Sequence, residues 1–109
     1  MDIMSPLEGS RDEVVTRIRS RVEELDKTMA DLMREALREN DMDVQVRVER
    51  AKKSVADKGS KLETMLEQAE NVEEPQWEET QKTLRAAWVD YKEAVDRARL
   101  ELERAEELS

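Results

Sequence analysis

The chain has no cysteine, no histidine and no phenylalanine among its 109 residues, and it has only two glycines and two prolines. Without cysteine it forms no disulfide, iron–sulfur site or thiol nucleophile. Without histidine it lacks the commonest general base and the Glu-x-x-His pairs of di-iron bundles. We therefore expect a protein that is not an enzyme and that takes no metal, cofactor or small-molecule substrate.

Long apolar runs are also missing, since nowhere do the roughly 18 apolar residues of a membrane span follow one another. Residues 1–9 contain Pro6 and Gly9, show no periodicity and lack the basic start and apolar stretch of a secretory signal. We expect them to form a flexible leader on a cytoplasmic protein. The formal net charge of -9 argues against a nucleic-acid partner, because phosphate binding depends on a basic field.

What the chain does have is 43% charged residues and a ladder of apolar residues at alternating steps of three and four. This spacing keeps one stripe on one side of a helix and is typical of helices that cross at about 20°. The ladder has three runs: Val15, Ile18, Val22, Leu25, Met29, Leu32 and Ala36; Val44, Val48, Ala51, Val55, Leu62, Met65, Ala69 and Val72; and Trp77, Leu84, Trp88, Tyr91, Val95, Ala98, Leu102 and Ala105.

The two interruptions of the ladder predict three helices of similar length, at about residues 10–38, 43–71 and 75–108. Ser10 with Glu13 three positions later has the form of a capping box, which starts the first helix. The sequence Glu73-Glu74-Pro75 separates the second helix from the third, because proline disfavours helix before it and suits a first helical turn.

The segment at residues 39–43 changes the register of the ladder and contains Asn40 and Asp41, which favour turns. We infer a turn here, although a phase slip of this kind also fits one continuous bent helix. Short connections favour antiparallel neighbours. The predicted fold is therefore all-α, an antiparallel up-down-up three-helix bundle with coiled-coil-like packing, as one domain over residues 10–109.

The charge pattern agrees with this topology. Helix 2 opens basic, and folding helix 3 back places its acidic end beside that basic segment. The arginines of helix 1 come to the end where the acidic residues at positions 63–79 cluster. Exposed ion pairs contribute only about 0–1 kcal/mol each, so the pattern indicates orientation and not stability.

The three aromatic residues, Trp77, Trp88 and Tyr91, all lie on the apolar ladder of helix 3, where a place in the core is the more common outcome. In an antiparallel hairpin that turns near Glu73, Trp88 falls opposite Lys58 and Gly59. Glycine would leave space for the indole there, and the lysine could lie against the ring.

Two regions are candidates for binding a partner. On helix 3, Trp77 lies near the end of the bundle, where less of helix 1 is available to cover it. Ala86, Ala87 and Ala94 form a smooth secondary face that another helix could approach. At the tip, an acidic group could attract a cation or a basic partner, or could be balanced by the arginines of helix 1. This group includes Glu67, Glu70, Glu74 and Glu78.

On helix 3 the pair Trp77-Glu78 is followed about eleven residues later by Ala87-Trp88, and then by Ala94 and Ala98. In this pattern the helix resembles a group of small bacterial coiled-coil proteins of uncharacterised function, in which a Trp-Glu pair leads to Ala-Trp and then to alanines at heptad spacing. The likeness extends back to leucines near Leu62 and Leu66. The resemblance implies no activity, cofactor or catalytic residue.

These observations favour a non-enzymatic helical protein that acts through protein–protein association. Its partner would be a second copy, most simply in a twofold dimer, or another helical protein. A membrane-surface-associated or chaperone-like stress protein is the alternative. The narrow stripes of valine, alanine and methionine among many acids suit helix packing better than an anionic membrane surface.

Overall fold

The computed structural model describes residues 10–38 and 41–108, with side chains described as far as Arg104. This part of the chain consists of three helices without a strand: α1 (Arg11–Leu37), α2 (Met42–Asn71) and α3 (Glu74–Leu108). The predicted all-α three-helix bundle is confirmed. The predicted leader at residues 1–9 lies outside the described residues, as do Glu39 and Asn40 of the predicted turn.

The helix ends follow from side chains that accept backbone N–H groups. Ser10 is the N-cap of α1, and its hydroxyl accepts from the Glu13 N–H at 3.4 Å. Asp41 caps α2 in the same way, accepting from the Asp43 N–H at 2.9 Å. Its extended backbone, with φ of -106° and ψ of 133°, interrupts the helical path between α1 and α2. The continuous bent helix is therefore wrong.

Contacts between distant residues establish that α1 and α2 are antiparallel. Arg19, near the start of α1, bonds Glu63 and Glu70 in the second half of α2. The Arg11 guanidinium donates to the carbonyl of Val72, the residue that follows α2. The start of α1 thus lies beside the end of α2. The Arg11 guanidinium supplies a donor for a carbonyl near a helix C-terminus, where carbonyl groups lack intrahelical hydrogen-bond partners.

The core consists mainly of the apolar ladder. Val14, Leu66 and Ala94, outside the predicted ladder, are also buried, whereas Met65, Val72 and Trp77 of the ladder are only half-buried. The side chain of Ala105 lies outside the described residues. Val22, Leu25 and Leu32, in the middle and second half of α1, are also half-buried. Within the described ranges, no helix is long and apolar enough to cross a membrane.

Candidate partner-binding surface

The outer side of the α2 and α3 hairpin carries two grooves, and we call this surface the open face. The larger groove has a volume of about 320 Å³ and is lined by Lys58, Lys61, Thr64, Met65, Thr83, Ala86, Ala87 and Asp90. The smaller, of about 140 Å³, is lined by Arg50, Ala51, Ser54, Ala94, Arg97, Ala98 and Glu101. No described residue of α1 lines either groove, since α1 packs on the other side.

A second helical stripe, beside the core stripe, produces the open face. On α3 the lining positions 83, 87, 90, 94, 97 and 101 advance by four and three residues in turn. On α2 the positions 51, 54, 58, 61 and 65 do the same. Residues at these steps lie on one side of a helix. Of the 15 side chains that line the two grooves, eight are alanine, serine or threonine, so parts of the surface between the two ridges are accessible to another helix.

The predicted alanine face divides between the two grooves. Ala86 is exposed and Ala87 half-buried, and both line the larger groove. Ala94 lines the smaller groove but retains only 6% exposure, so it contributes to the floor more than to the accessible surface. Trp77 is half-buried, packs against the core and lies outside both grooves. The structure therefore brings the three alanines to one face and leaves Trp77 apart from them.

The predicted acidic residues Glu67, Glu70, Glu74 and Glu78 are all exposed. Glu70 is not available as an isolated charge, because Arg19 Nη2 lies 2.8 Å from its carboxylate while Arg19 Nη1 lies 2.7 Å from that of Glu63. The hydrogen bond to Glu63, followed by that to Glu70, raises the pKa of Arg19. In the part of the chain that is described, no group of three or more acidic side chains is arranged to hold a metal ion.

A separate cavity of about 470 Å³ opens between α1 and α2. Its walls are mainly apolar and include Val22, Met29 and Val55, and Tyr91 of α3 also lines it. The Tyr91 hydroxyl donates to Asp26 Oδ1 at 3.0 Å, a contact that ties α3 to the middle of α1. Burial raises the pKa of Tyr91 above its usual value, with a further contribution from the hydrogen bond and negative charge of Asp26.

Tyr91, and not Trp88, lies against Gly59. A Cβ atom at Gly59 would lie 3.5 Å from Tyr91 Cε1, and apart from the chain neighbours of Gly59 no other described side chain comes within 4 Å of that position. The predicted pairing of Trp88 with Gly59 is therefore wrong. Trp88 stacks on Tyr91 with a centroid distance of 6.2 Å, and the cation beside its ring is Lys92, at 5.9 Å, instead of Lys58.

The sequence predicted basic residues on α2 beside the acidic end of α3, but not that these charges lie on the same face as the alanines. All the charged residues that α2 contributes to the two grooves are basic, namely Arg50, Lys58 and Lys61. From α3 come the acids Asp90 and Glu101, with Arg97 between them. The signal was present in the sequence, because these residues repeat at helical spacing beside the alanines.

Comparison with family models, curated proteins and solved structures gives no match for this chain. The resemblance of α3 to small bacterial coiled-coil proteins stays a prediction. The case for a function therefore depends on the surfaces described above.

Proposed function

We propose that this chain acts through protein–protein association, with the open face as its contact surface and a helical protein as its partner. The observation that carries the proposal is the pair of grooves between α2 and α3, which no described part of α1 covers. A groove between two helices is a recurring binding site for a partner helix, which lays its apolar face into the groove.

The side chains of the larger groove suit a helix as the occupant. Ala86 and Ala87 add almost no height above the α3 backbone, so a ridge of another helix can settle between α2 and α3. Met65 is half-buried beside them and is flexible enough to adapt its shape to a partner. Lys58 and Asp90 at the rim provide charges of both signs, which favour one orientation of the partner over others.

The proposal includes no catalytic step. Tyr91 and Arg19 both have raised pKa values, which take them further from proton transfer near neutral pH. Their contacts with Asp26, Glu63 and Glu70 hold helices together, so each shift has a structural cause. We keep the cytoplasmic location as part of the proposal.

Site-specific photo-cross-linking in living cells tests this function. A photoreactive phenylalanine analogue at Ala86 on the open face should give a covalent protein adduct, whereas the same analogue at the exposed Asp31 of α1 should give none. Adding Thr83→Arg, which fills the larger groove from an exposed position, should abolish the adduct. Equal labelling from both positions, or an adduct that persists with Thr83→Arg, would contradict the proposal.

A further inference from the structure

We propose that the partner on the open face is a second copy of this chain, in a dimer whose twofold axis runs parallel to the helices. This inference rests on the proposed function and names its partner. It is carried by the distribution of charge across the face, by the heights at which opposite charges lie, and by the size of the face.

The charge distribution is self-complementary. One ridge of the open face is basic, with Arg50, Lys58 and Lys61 from α2. The other carries the acids Asp90 and Glu101 from α3, with Arg97 between them. Among the described residues, none of these six takes part in an ion pair. At the levels of the two acids, a partner must therefore present acidic groups to α2 and basic groups to α3, and a second copy does both.

The direction of the twofold axis follows from these signs. Two identical faces can pack with the axis along the helices or across them. An axis across the helices would place α2 on α2 of the other copy and bring Lys58 and Lys61 against like charges, which is destabilising. An axis along the helices places α2 on α3 of the other copy, so that basic residues meet acidic ones.

With the axis along the helices, each residue also stays at its own level along the bundle. Gly59 lies against Tyr91, so Lys58 and Asp90, which directly precede them, lie at about one level. In the same antiparallel register Arg50 falls level with the neighbourhood of Glu101. Rotation about an axis parallel to the helices leaves levels unchanged. Lys58 of each copy then meets Asp90 of the other, and Arg50 meets Glu101, so each contact occurs twice as a twofold interface requires.

The open face reaches the size of a small specific interface. Its lining runs from Thr83 to Glu101 on α3, about 28 Å, and two adjacent helices are about 20 Å wide, which gives roughly 560 Å² per copy and about 1,100 Å² in total. A specific interface buries at least about 1,000 Å² in total. The apolar floor of the grooves would supply the affinity, and the charged ridges would select the orientation.

Charge reversal and mixing test the inference. Sedimentation equilibrium near physiological salt and at tens of micromolar should give twice the 12.7 kDa mass of the chain. Lys58→Asp alone and Asp90→Lys alone should each weaken the dimer by roughly tenfold or more, because each places two like-charged pairs across the interface. An equimolar mixture of the two variants should restore association, since every contact between them is again of opposite sign.

If mixing restores the dimer, the charges act between copies and not within one copy. Within each variant the substituted side chain still lies beside the like charge of its own groove, and mixing does not change that. Lys27→Asp and Asp31→Lys, on exposed positions of α1, make the same charge changes and should leave the dimer intact. Circular dichroism should show unchanged helix content in all four variants.

A wild-type mass of 12.7 kDa, or a mixture that stays monomeric, would overturn the inference. If a cross-linked adduct at Ala86 then contains a different protein, the proposed function stands and only the identity of the partner is wrong. Monomers together with no adduct would overturn both.

Discussion

The two sides of α2 differ in how closely another helix approaches. On the side of α3, small residues such as Ala51 and Ala98 are buried, and the two helices form the most extensive interface of the bundle. On the side of α1, the long side chains of Met29 and Met33 line an open cavity. The same helix thus has one tight neighbour and one loose neighbour.

The difference teaches that the apolar spacing along a helix does not by itself decide how tightly the helix docks. All three helices carry the same ladder, yet half-buried Val22, Leu25 and Leu32 show that α1 is less completely packed. Polar contacts fix α1 where apolar contact is thinner: Arg19 bonds Glu63 and Glu70 near one end, and Asp26 accepts from Tyr91 in the middle.

The largest effect should come from matched leucine truncations on the two sides. Leu84→Ala removes a fully buried side chain of α3 and should lower the free energy of unfolding by about 3 kcal/mol. Leu25→Ala removes a half-buried side chain of α1 and should cost about 1 kcal/mol, because less apolar area leaves water. Urea denaturation measures both losses. Equal losses would show that α1 is packed as tightly as the hairpin.

Tyr91→Phe removes the hydrogen bond between α3 and α1 while keeping the ring, and should lower stability near neutral pH by about 1 kcal/mol. The pKa of Tyr91 is raised in the folded state, so this side chain favours folding below its unfolded pKa of about 10, and that contribution is lost as pH rises further. The stability gap between wild type and variant should therefore shrink above pH 10.

Denaturation at a series of alkaline pH values measures this gap. Because Tyr91 is the only tyrosine, an absorbance titration of tyrosinate reports its ionisation alone. If the stability difference between wild type and variant stays constant up to the highest pH measured, the Tyr91 hydroxyl ionises as readily in the folded protein as in the unfolded chain.

Gly59→Ala should stabilise the protein by about 0.5–1 kcal/mol, because alanine is the better helix former and its Cβ would meet Tyr91 at an ordinary van der Waals distance of 3.5 Å. Ala56→Gly, one helical turn earlier and exposed, measures the propensity difference alone in the opposite direction. Thermal melts compare the two. A loss of stability in Gly59→Ala would indicate that α2 and α3 approach more closely than this distance.

The smallest effect should follow from Arg19→Met, which keeps most of the side-chain length and removes the guanidinium shared by Glu63 and Glu70. The side chains are partly exposed, 37% for Arg19, so the loss should be about 0.5 kcal/mol and should diminish in high salt. Arg34→Met, whose partner Asp31 lies on the same exposed turn, is the control and should change stability less. A loss that does not respond to salt would point to packing by the arginine stem.

Much of the bundle could be predicted because helix formation and stripe spacing are local properties. Ser10 and Asp41 cap their helices through bonds to residues two or three positions away, and Pro75 lies in the first turn of α3. Ala86, Ala87 and Ala94 could be assigned to one helical face from their spacing. The opposite charges at the helix ends also follow from the order of residues, so an antiparallel arrangement could be predicted.

The sequence by itself determined three amphipathic stretches and their approximate ends, since both depend on neighbours along the chain, whereas the structure decided between a turn and a continuous helix from α1 to α2. Only the tertiary structure decided that Gly59 meets Tyr91 instead of Trp88. Both aromatic rings lie on the same stripe, one turn apart, and a small rotation or shift of α3 exchanges them. That rotation is set by packing of all side chains at once, and it also brings Lys58 and Asp90 to the rim of one groove.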